Sequence, residues 1–469
     1  MIAIFVGIPQ KFLTLLFIGF LICYLGEAQT IIRVAPNGTG NGSSWGQASS
    51  IESAVENASS ITEFWLKAGV YPLDAELEFN LFTRSEIAIY GGFAGTETNR
   101  NQRDFEGNKS ILDGQNTTRI MSISVNDFIV DGVTFRNGFI DLINEDDFNK
   151  GGGAVYIGRG NSIIIRNCYF LNNVAEGDRG AGAIYNKLSD KTLIENCVFE
   201  NNRFQNYRES ANGGGAIHNW TDGLTIRNTT FKNNISHKTG GAIYTWVYPV
   251  VIEDCVFEDN QSDGDGGAIH TRDELSITGT DFINNKSGGQ GGAIYNGGEM
   301  VLDRINFTNN TSQTEGGAIF INRTSESFPS SAKITNSLFD SNTALQFGGA
   351  ICNSGDLYIS NSTLYNNSQT AITYNSSSSD PRPSHIYNSI FFNNRGSGGL
   401  ATDIGPASSF SYGSLDIKKN ILQEYSDGED NLLGVNPMFI DAEGGNFRIR
   451  NASPAVDTGT NAFYNQISS

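Results

Sequence analysis

Apolar and polar residues alternate with a period of two in short segments along most of the chain. Leu224 and Ile226 form one such apolar pair, and Leu275 and Ile277 form another. A period of two is typical of β-strands, because helices space their apolar residues by three and four. The pattern therefore predicts many short strands separated by tight turns.

A repeat organises these strands between residues 128 and 394. Its unit reads aliphatic, x, Asn, x, x, Phe, x, Asn, Asn, as in Ile165–Asn173 (IRNCYFLNN) and Ile226–Asn234 (IRNTTFKNN). A second motif, Gly-Gly-Ala-Ile followed usually by an aromatic residue, places its Ala 11 residues after the Phe in five successive copies from Phe231 onward. The Phe column consists of Phe135, Phe170, Phe199, Phe231, Phe257, Phe282, Phe307, Phe339, Leu364 and Phe391.

Stacking is the way in which such a unit can bury its apolar face, because one coil of short strands cannot do so alone. Parallel coils about 4.8 Å apart place equivalent side chains above one another. We therefore predict an all-β fold, a single-stranded right-handed parallel β-helix of about 12 coils. We predict a structural hydrogen-bonded ladder, in preference to a metal or sugar site, for the column Asn202, Asn234, Asn260, Asn285 and Asn310.

The N-terminal region has two further signals. Lys11 and the apolar run from Phe12 to Leu25, with small residues at Gly26 and Ala28, predict a signal peptide over residues 1–28. A membrane anchor is the alternative, since residues 1–8 are also apolar. We also predict a short helix that caps the first coil. The prediction rests on the pattern of Ser49, Ile51, Glu52, Ala54, Val55 and Ala58, in which Ser49 and Glu52 have capping-box spacing.

The chain thus divides into a signal peptide (1–28), an N-terminal cap with the first coils (29–127), regular repeats (128–394) and C-terminal coils (395–469). No segment after the signal peptide is apolar enough to span a membrane. The formal charge of −19, from 31 basic and 50 acidic residues, argues against nucleic acid and anionic lipid as partners. We expect a soluble, secreted monomer.

Four cysteines remain after the predicted cleavage, too few for a disulfide scaffold: Cys168, Cys197, Cys255 and Cys352. Cys168 and Cys197 occupy the same position in adjacent coils, so their α-carbons are expected within disulfide distance. Stacked side chains point the same way, which favours a buried thiol pair over a bond.

The repeats resemble those of polymorphic outer-membrane proteins and of bacterial β-helix proteins in the pectate-lyase-like superfamily. The first part (VAPNGTGNGSSW, WLKAGVYP, YGGFAGTETNRNQRD) and the last part (NPMFIDAEGGNFRIRNASPAVDTG) resemble segments of secreted Bacteroidetes-type surface proteins. The resemblance implies a secreted or outer-membrane-surface location. Those proteins carry a variable anchoring or sorting tail after the last segment, which this sequence lacks, so the mode of attachment stays open.

Two insertions after the Phe strand suggest one candidate for chemistry. Residues 138–150 are acidic and residues 203–212 are basic, and both leave the same corner of the coil. A polysaccharide lyase neutralises a uronate carboxylate, commonly with Ca²⁺, and removes a proton with a base. The candidate catalytic residues are Asp146, Asp147, Lys150, Arg203 and Arg208. The alternative is that both loops only decorate the surface.

A second candidate is the column that follows Gly-Gly-Ala-Ile, which is Tyr156, Tyr185, His218, Tyr244, His270 and Tyr295, continued by Phe320 and Cys352. If each Ile points inward, the column faces outward and can stack on sugar rings. If each Ala points inward, the column belongs to the core. Asp263 and Asp265 have a spacing loosely like that of a Ca²⁺ loop, with an ordinary acidic turn as the alternative.

Regular repeats without a catalytic constellation favour a non-enzymatic, adhesin-like protein that binds a polysaccharide or a cell-surface glycan. The alternative is an extracellular polysaccharide lyase or hydrolase that acts on an anionic polysaccharide. Bound Ca²⁺ is expected only in the second case or at the Asp263 turn.

Overall fold

The protein is described by a computed structural model that covers residues 29–59, 61–80, 86–141, 151–205, 212–246, 248–322, 330–375, 382–396, 403–407, 413–424, 428–456 and 458–459. The predicted signal peptide lies outside these residues. The described chain winds into a parallel β-solenoid of about 12 coils, which confirms the predicted architecture. Four parallel sheets run along its axis, numbered here in the order in which one coil visits them.

Sheets 1 and 2 each contain 14 strands. Sheet 1 comprises Thr30–Val34, Ile61–Lys67, Glu86–Phe93, Phe128–Asp131, Ile163–Arg166, Thr192–Glu195, Leu224–Arg227, Val250–Glu253, Leu275–Thr278, Glu299–Asp303, Ser331–Thr335, Asp356–Ser360, Arg382–Tyr387 and Gly413–Lys418. Sheet 2 comprises Gly69–Pro72, Ser110–Asp113, Val133–Arg136, Tyr169–Leu171, Val198–Glu200, Thr230–Lys232, Val256–Glu258, Asp281–Ile283, Asn306–Thr308, Leu338–Asp340, Thr363–Tyr365, Ile390–Phe392, Ile421–Leu422 and Leu432–Leu433.

Sheets 3 and 4 contain 8 and 12 strands. Sheet 3 comprises Phe139–Asp141, Val174–Glu176, Arg203–Gln205, Ile235–Ser236, Gln261–Ser262, Lys286–Ser287, Thr311–Ser312 and Thr343–Ala344. Sheet 4 comprises Leu77–Phe79, Met121–Ser124, Val155–Arg159, Ile184–Asn186, Ile217–Asn219, Ile243–Thr245, Ile269–Thr271, Ile294–Asn296, Ile319–Ile321, Ile351–Asn353, Ile372–Tyr374 and Ile404–Pro406. A parallel pair (Arg179–Ala181 with Asn212–Gly214) and an antiparallel pair (Phe439–Asp441 with Asn446–Ile449) complete the strands.

Single residues in the left-handed conformation turn the chain from one sheet to the next. Asn196 (φ 53°) separates sheets 1 and 2, and Asn201 (φ 57°) separates sheets 2 and 3, with equivalent residues in the other coils. Asn tolerates this region better than other residues with a β-carbon. The first Asn of the repeat and the first of its Asn-Asn pair are therefore turn residues.

The second Asn of the pair points inward and forms the predicted ladder. Nδ2 of Asn234 donates to Oδ1 of Asn260 and to the carbonyl oxygen of Phe199, both at 2.9 Å. Asn260 repeats this arrangement with Asn285 at 3.0 Å, and the ladder runs from Asn173 to Asn394. Each amide is fully buried, so the ladder satisfies polar groups inside the core.

The Phe column packs as predicted beside that ladder. Neighbouring rings are nearly parallel, as between Phe231 and Phe257, whose centroids are 4.7 Å apart with 4° between the planes. The second Gly of each Gly-Gly pair allows the coils to approach: a β-carbon added to Gly267 would lie 2.0 Å from the carbonyl oxygen of Gly292.

All four described cysteines are free and buried, which confirms the expected thiols.

A six-residue helix, Ile51–Glu56, buries Ile51 and Ala54, while short 3-10 turns span Trp45–Gln47 and Arg100–Gln102. The predicted capping box is wrong: Ser50 is the N-cap residue, and its hydroxyl accepts from the backbone N–H of Ser53 at 3.2 Å. Ser49 instead bridges to Val34 in sheet 1. That the helix caps the solenoid stays a prediction.

Candidate functional site

The predicted catalytic corner is described only in part. Asp146, Asp147, Lys150 and Arg208 lie outside the described residues. Arg203 begins a strand of sheet 3 and donates from Nε to Nε2 of His237 at 3.1 Å. Nδ1 of His237 lies 3.0 Å from Oδ2 of Asp263. Because arginine can only donate, His237 accepts at Nε2 and donates from Nδ1, so three successive coils share one surface hydrogen-bond chain.

The two aspartates considered for Ca²⁺ have separate partners. Asp263 contacts His237, and Oδ1 of Asp265 accepts from the backbone N–H of Gln290 at 2.8 Å. Burial raises the pKa of Asp265, against the opposing effects of that hydrogen bond and of Arg272. Within the described ranges, no group of three or more His, Cys, Asp or Glu side chains is placed to hold a metal ion. A Ca²⁺ loop here stays a prediction.

The aromatic column is buried, so of the two placements that the sequence left open the structure has the core placement and no exposed strip along Tyr185–Tyr295. Only Tyr156 is partly exposed, whereas the side chains of Tyr185, His218, Tyr244, His270 and Tyr295 are 0–7% exposed. The Gly-rich segment before each strand of sheet 4 folds against it. A β-carbon on Gly240 would lie 2.2 Å from the carbonyl oxygen of Ile243. Sugar rings at the surface therefore cannot stack on the five buried side chains.

The buried rings form a continuous stack. Centroids are 4.9 Å apart between His218 and Tyr244, 5.2 Å between Tyr244 and His270, and 4.4 Å between His270 and Tyr295. Burial lowers the pKa of both histidines to about 3, against an opposing effect of the Gly180 backbone on His218. Among the described residues, none forms a well-aligned hydrogen bond with a ring nitrogen of either histidine. The column is thus a second packed layer with two neutral imidazoles in it.

The outer face of sheet 1 carries a concave groove. Residues 94–109 leave sheet 1 before sheet 2 begins and contribute Arg100 to the lining of this groove. Glu97 holds the segment, because its carboxylate accepts from the backbone N–H groups of Ala94, Gly95 and Thr96 at 2.6–2.9 Å. Trp45 donates from Nε1 to the Glu97 carbonyl oxygen at 2.9 Å, which ties the segment to the first coil.

Charged side chains line the groove. Arg100 donates from Nη1 to Oε1 of Glu63 at 2.7 Å and to the hydroxyl of Tyr90 at 2.9 Å. Arg166 donates from Nε to Oδ2 of Asp131 at 2.8 Å. The side chains of Arg100 and Arg166 are 42% and 39% exposed, so both guanidinium groups still present donors to the groove.

Asp131 is the buried anchor of this network. Burial alone would raise the pKa of Asp131. The pKa nevertheless lies below its usual range, because Arg103, Asn167 and Arg166 donate hydrogen bonds to the carboxylate and Arg103 adds its positive charge. Its carboxylate therefore stays ionised and fixes two arginines in place. The cavity measures about 600 Å³. It is lined by Gln29, Glu63, Glu86, Ile87, Ala88, Tyr90, Arg100, Asp127, Ile129, Ser162, Ile164 and Arg166.

Sequence reasoning missed this groove because its residues come from five separate coils. The register of sheet 1 brings them together, with Glu63 beside Ala88, Ala88 beside Ile129, and Ile129 beside Ile164. The one signal in the sequence is the length of the segment between Phe93 and Ser110, which interrupts the short turn expected there.

Comparison with known proteins agrees with this architecture. The family model for the right-handed β-helix region matches residues 111–264. The model for the repeat of the Chlamydia polymorphic membrane protein matches residues 279–297, 304–322 and 336–354. No curated protein shows significant sequence similarity to the chain.

Three solved structures align with most of the chain at low identity. The pectate lyase Pel9A is 14% identical, with 92% of each chain covered and a TM-score of 0.36. The PL6 family polysaccharide lyase Pedsa3628 from Pseudopedobacter saltans is 13% identical, with 90% of this chain and 97% of the other covered and a TM-score of 0.38. XylC in complex with xylose is 12% identical, with 87% of each chain covered and a TM-score of 0.42. Identities this low carry no information on activity.

In the described part of the chain, no helix has the length and apolar character needed to cross a membrane. The family matches and the four parallel sheets together identify the architecture. The chain is a right-handed parallel β-helix, and its later coils match the repeat model of the Chlamydia polymorphic membrane protein.

Proposed function

We propose that the chain is a secreted or cell-surface protein that binds a glycan in the sheet 1 groove without cleaving it. The observation that carries the proposal is the concave groove of about 600 Å³ on the solenoid face. Sites for small molecules and sugars are concave, have volumes of about 300–1,000 Å³, and combine apolar surface with a few placed polar groups.

The groove has these features. Ile129 and Ile164 are partly exposed and give it an apolar floor. The guanidinium groups of Arg100 and Arg166 and the carboxylates at its rim offer donors and acceptors for hydroxyl groups. Ion pairs hold both arginines before any ligand arrives, so little side-chain entropy is lost on binding.

The proposed location has two supports. The apolar segment near the N-terminus has the pattern of a secretory leader. The repeat matched in the later coils is that of a polymorphic membrane protein from Chlamydia. A net charge of −19 favours a soluble protein that stays monomeric and avoids nucleic acid.

A glycan array with the full chain and two variants tests the groove. Ser162→Trp places an indole inside it, whereas Ser276→Trp places one on the same outer face of sheet 1, four coils or about 19 Å away. We expect Ser162→Trp to lose about tenfold or more in affinity for every glycan that depends on the groove, because it removes the space for the ligand. Ser276→Trp should bind as the parent does. Equal binding by all three proteins, or no binding to any glycan, would refute the proposal.

Cleavage is the competing outcome of the same experiment. Anionic polysaccharides incubated with the protein, with and without Ca²⁺, are followed by ultraviolet absorbance for unsaturated uronate and by a reducing-sugar assay. Product that disappears in Asp146→Asn/Asp147→Asn would assign the predicted corner to a lyase or hydrolase and overturn the non-enzymatic proposal. Absence of product from every substrate would be the result expected here.

A further inference from the structure

Four side chains form a stack on the outer side of sheet 4, away from the sheet 1 groove: Arg179, Trp220, Trp246 and Arg272, called here the Arg–Trp ladder. The rings of Trp220 and Trp246 are nearly parallel, with 11° between their planes and centroids 6.0 Å apart. The guanidinium carbon of Arg179 lies 5.2 Å from the Trp220 centroid, and that of Arg272 lies 4.3 Å from the Trp246 centroid. Each cation therefore covers one end of the indole pair.

The ladder is at the surface and spans four consecutive coils. Trp220 and Trp246 are half-buried, packed on His218 and Tyr244 of the buried column at 6.0 and 6.2 Å between centroids. Arg179 and Arg272 are exposed. They are three coil spacings apart, about 14 Å along the axis.

Neither arginine has a carboxylate partner among the described residues. The chain has 50 acidic and 31 basic residues, so carboxylates are plentiful. Asp265 is near enough for Arg272 to lower its pKa, but the two form no ion pair. A guanidinium stacked on an indole uses its face and leaves all of its N–H donors in the open plane. The stacking also restricts the side chain, so a bidentate bond to an anion requires little further ordering.

We propose that the Arg–Trp ladder is a binding site for an acidic polysaccharide, with one sugar carboxylate or sulfate on each arginine and the intervening sugars along the indole edges. Two cations about 14 Å apart can each bind an acid group on the same polymer, with sugars between them. Nucleic acid binding depends on many phosphate contacts, which a net charge of −19 disfavours. This site is on another face from the groove and does not depend on it.

Isothermal titration of the full chain with polygalacturonate and with chondroitin sulfate tests the site, with dextran as the uncharged polymer. The test variant is Arg179→Gln/Arg272→Gln. The matched control is Arg227→Gln/Lys232→Gln, which removes the same two positive charges from residues paired with Glu253 and Glu258 on other sheets. Ser162→Trp separates the ladder from the groove.

We expect at least one acidic polymer to bind the parent and to bind Arg179→Gln/Arg272→Gln about tenfold or more weakly, because two charge-assisted contacts are lost. The control double variant and Ser162→Trp should remain within about twofold of the parent, since neither touches the ladder. The inference fails if neither acidic polymer binds, if dextran binds equally well, if the ladder and control variants lose the same affinity, or if only Ser162→Trp loses it.

Discussion

Acid should destabilise this protein through the two buried histidines of sheet 4, and replacing them should remove that effect. His218 and His270 are 0–2% exposed, and within the described ranges no group forms a well-aligned hydrogen bond with any of their ring nitrogens. Burial lowers the pKa of each to about 3 from an ordinary value of 6.5. Between these two values the unfolded chain binds protons that the folded chain rejects.

The sign and size of the effect follow from that difference. Stability is unaffected above pH 6.5 and falls progressively as the pH decreases toward 3, because protonation favours the unfolded state. At pH 5 each histidine lowers the free energy of unfolding by about 2 kcal/mol relative to pH 8. The two together account for about 4 kcal/mol.

Urea unfolding at pH 8 and pH 5 measures this loss of stability. The proteins compared are the parent, His270→Phe and His218→Phe/His270→Phe. Phe preserves the stacked ring and removes two unpaired nitrogens, so we expect the variants to be at least as stable as the parent at pH 8. The loss between pH 8 and pH 5 should shrink by about 2 kcal/mol in the single variant and about 4 in the double.

Tyr295→Phe is the matched control, because Tyr295 stacks on His270 in the same column at 4.4 Å and carries no group that titrates between pH 5 and 8. Its pH dependence should equal that of the parent. The reasoning is refuted if the double variant loses as much stability as the parent between the two pH values, or if proton resonances of the two imidazoles titrate near pH 6.

Three further substitutions or probes test the core. Asn260→Leu leaves donors and acceptors of the coils on both sides unpaired. We expect the free energy of unfolding in urea to fall by about 2–4 kcal/mol, and an unchanged urea midpoint would contradict this. Gly267→Ala puts a β-carbon 2.0 Å from the Gly292 carbonyl oxygen and should lower the thermal midpoint sharply, whereas Gly46→Ala, with its nearest neighbour at 4.0 Å, should not. Cys197 is buried and burial raises its pKa, so it should react with a thiol reagent only after unfolding; rapid reaction in the native state would contradict this.

The repeat made the solenoid readable from local rules. Two Asn positions in each unit adopt the left-handed conformation, the Phe between them points inward, and the second Asn of the pair forms the ladder. Most copies use the same residue type, although Asp254, Arg304 and Ser341 take left-handed turn positions, and each role depends on the stacked copy in the next coil. A regular period was therefore enough to predict the coil, the core column and the free cysteines.

The candidate sites were harder to predict, because they depend on what covers each face. Alternation left open whether the residue after Ile in Gly-Gly-Ala-Ile faces the surface or the core, and the structure buries it in the column from Tyr185 to Tyr295. Trp220 and Trp246 lie two residues after His218 and Tyr244, directly beyond the ends of these strands, and are partly exposed. Their repeated position was visible in the sequence, whereas the flanking Arg179 and Arg272 were not, since they occupy different positions in their coils.

The sequence by itself determined the coil, since period, turn residues and stacked side chains are properties of one repeat and its neighbour. The tertiary structure alone decided which faces are covered and which charges meet, because these depend on irregular segments such as residues 94–109 and on registers that join residues up to a hundred positions apart. No repeat encodes such contacts, and the groove and the Arg–Trp ladder both arise from them.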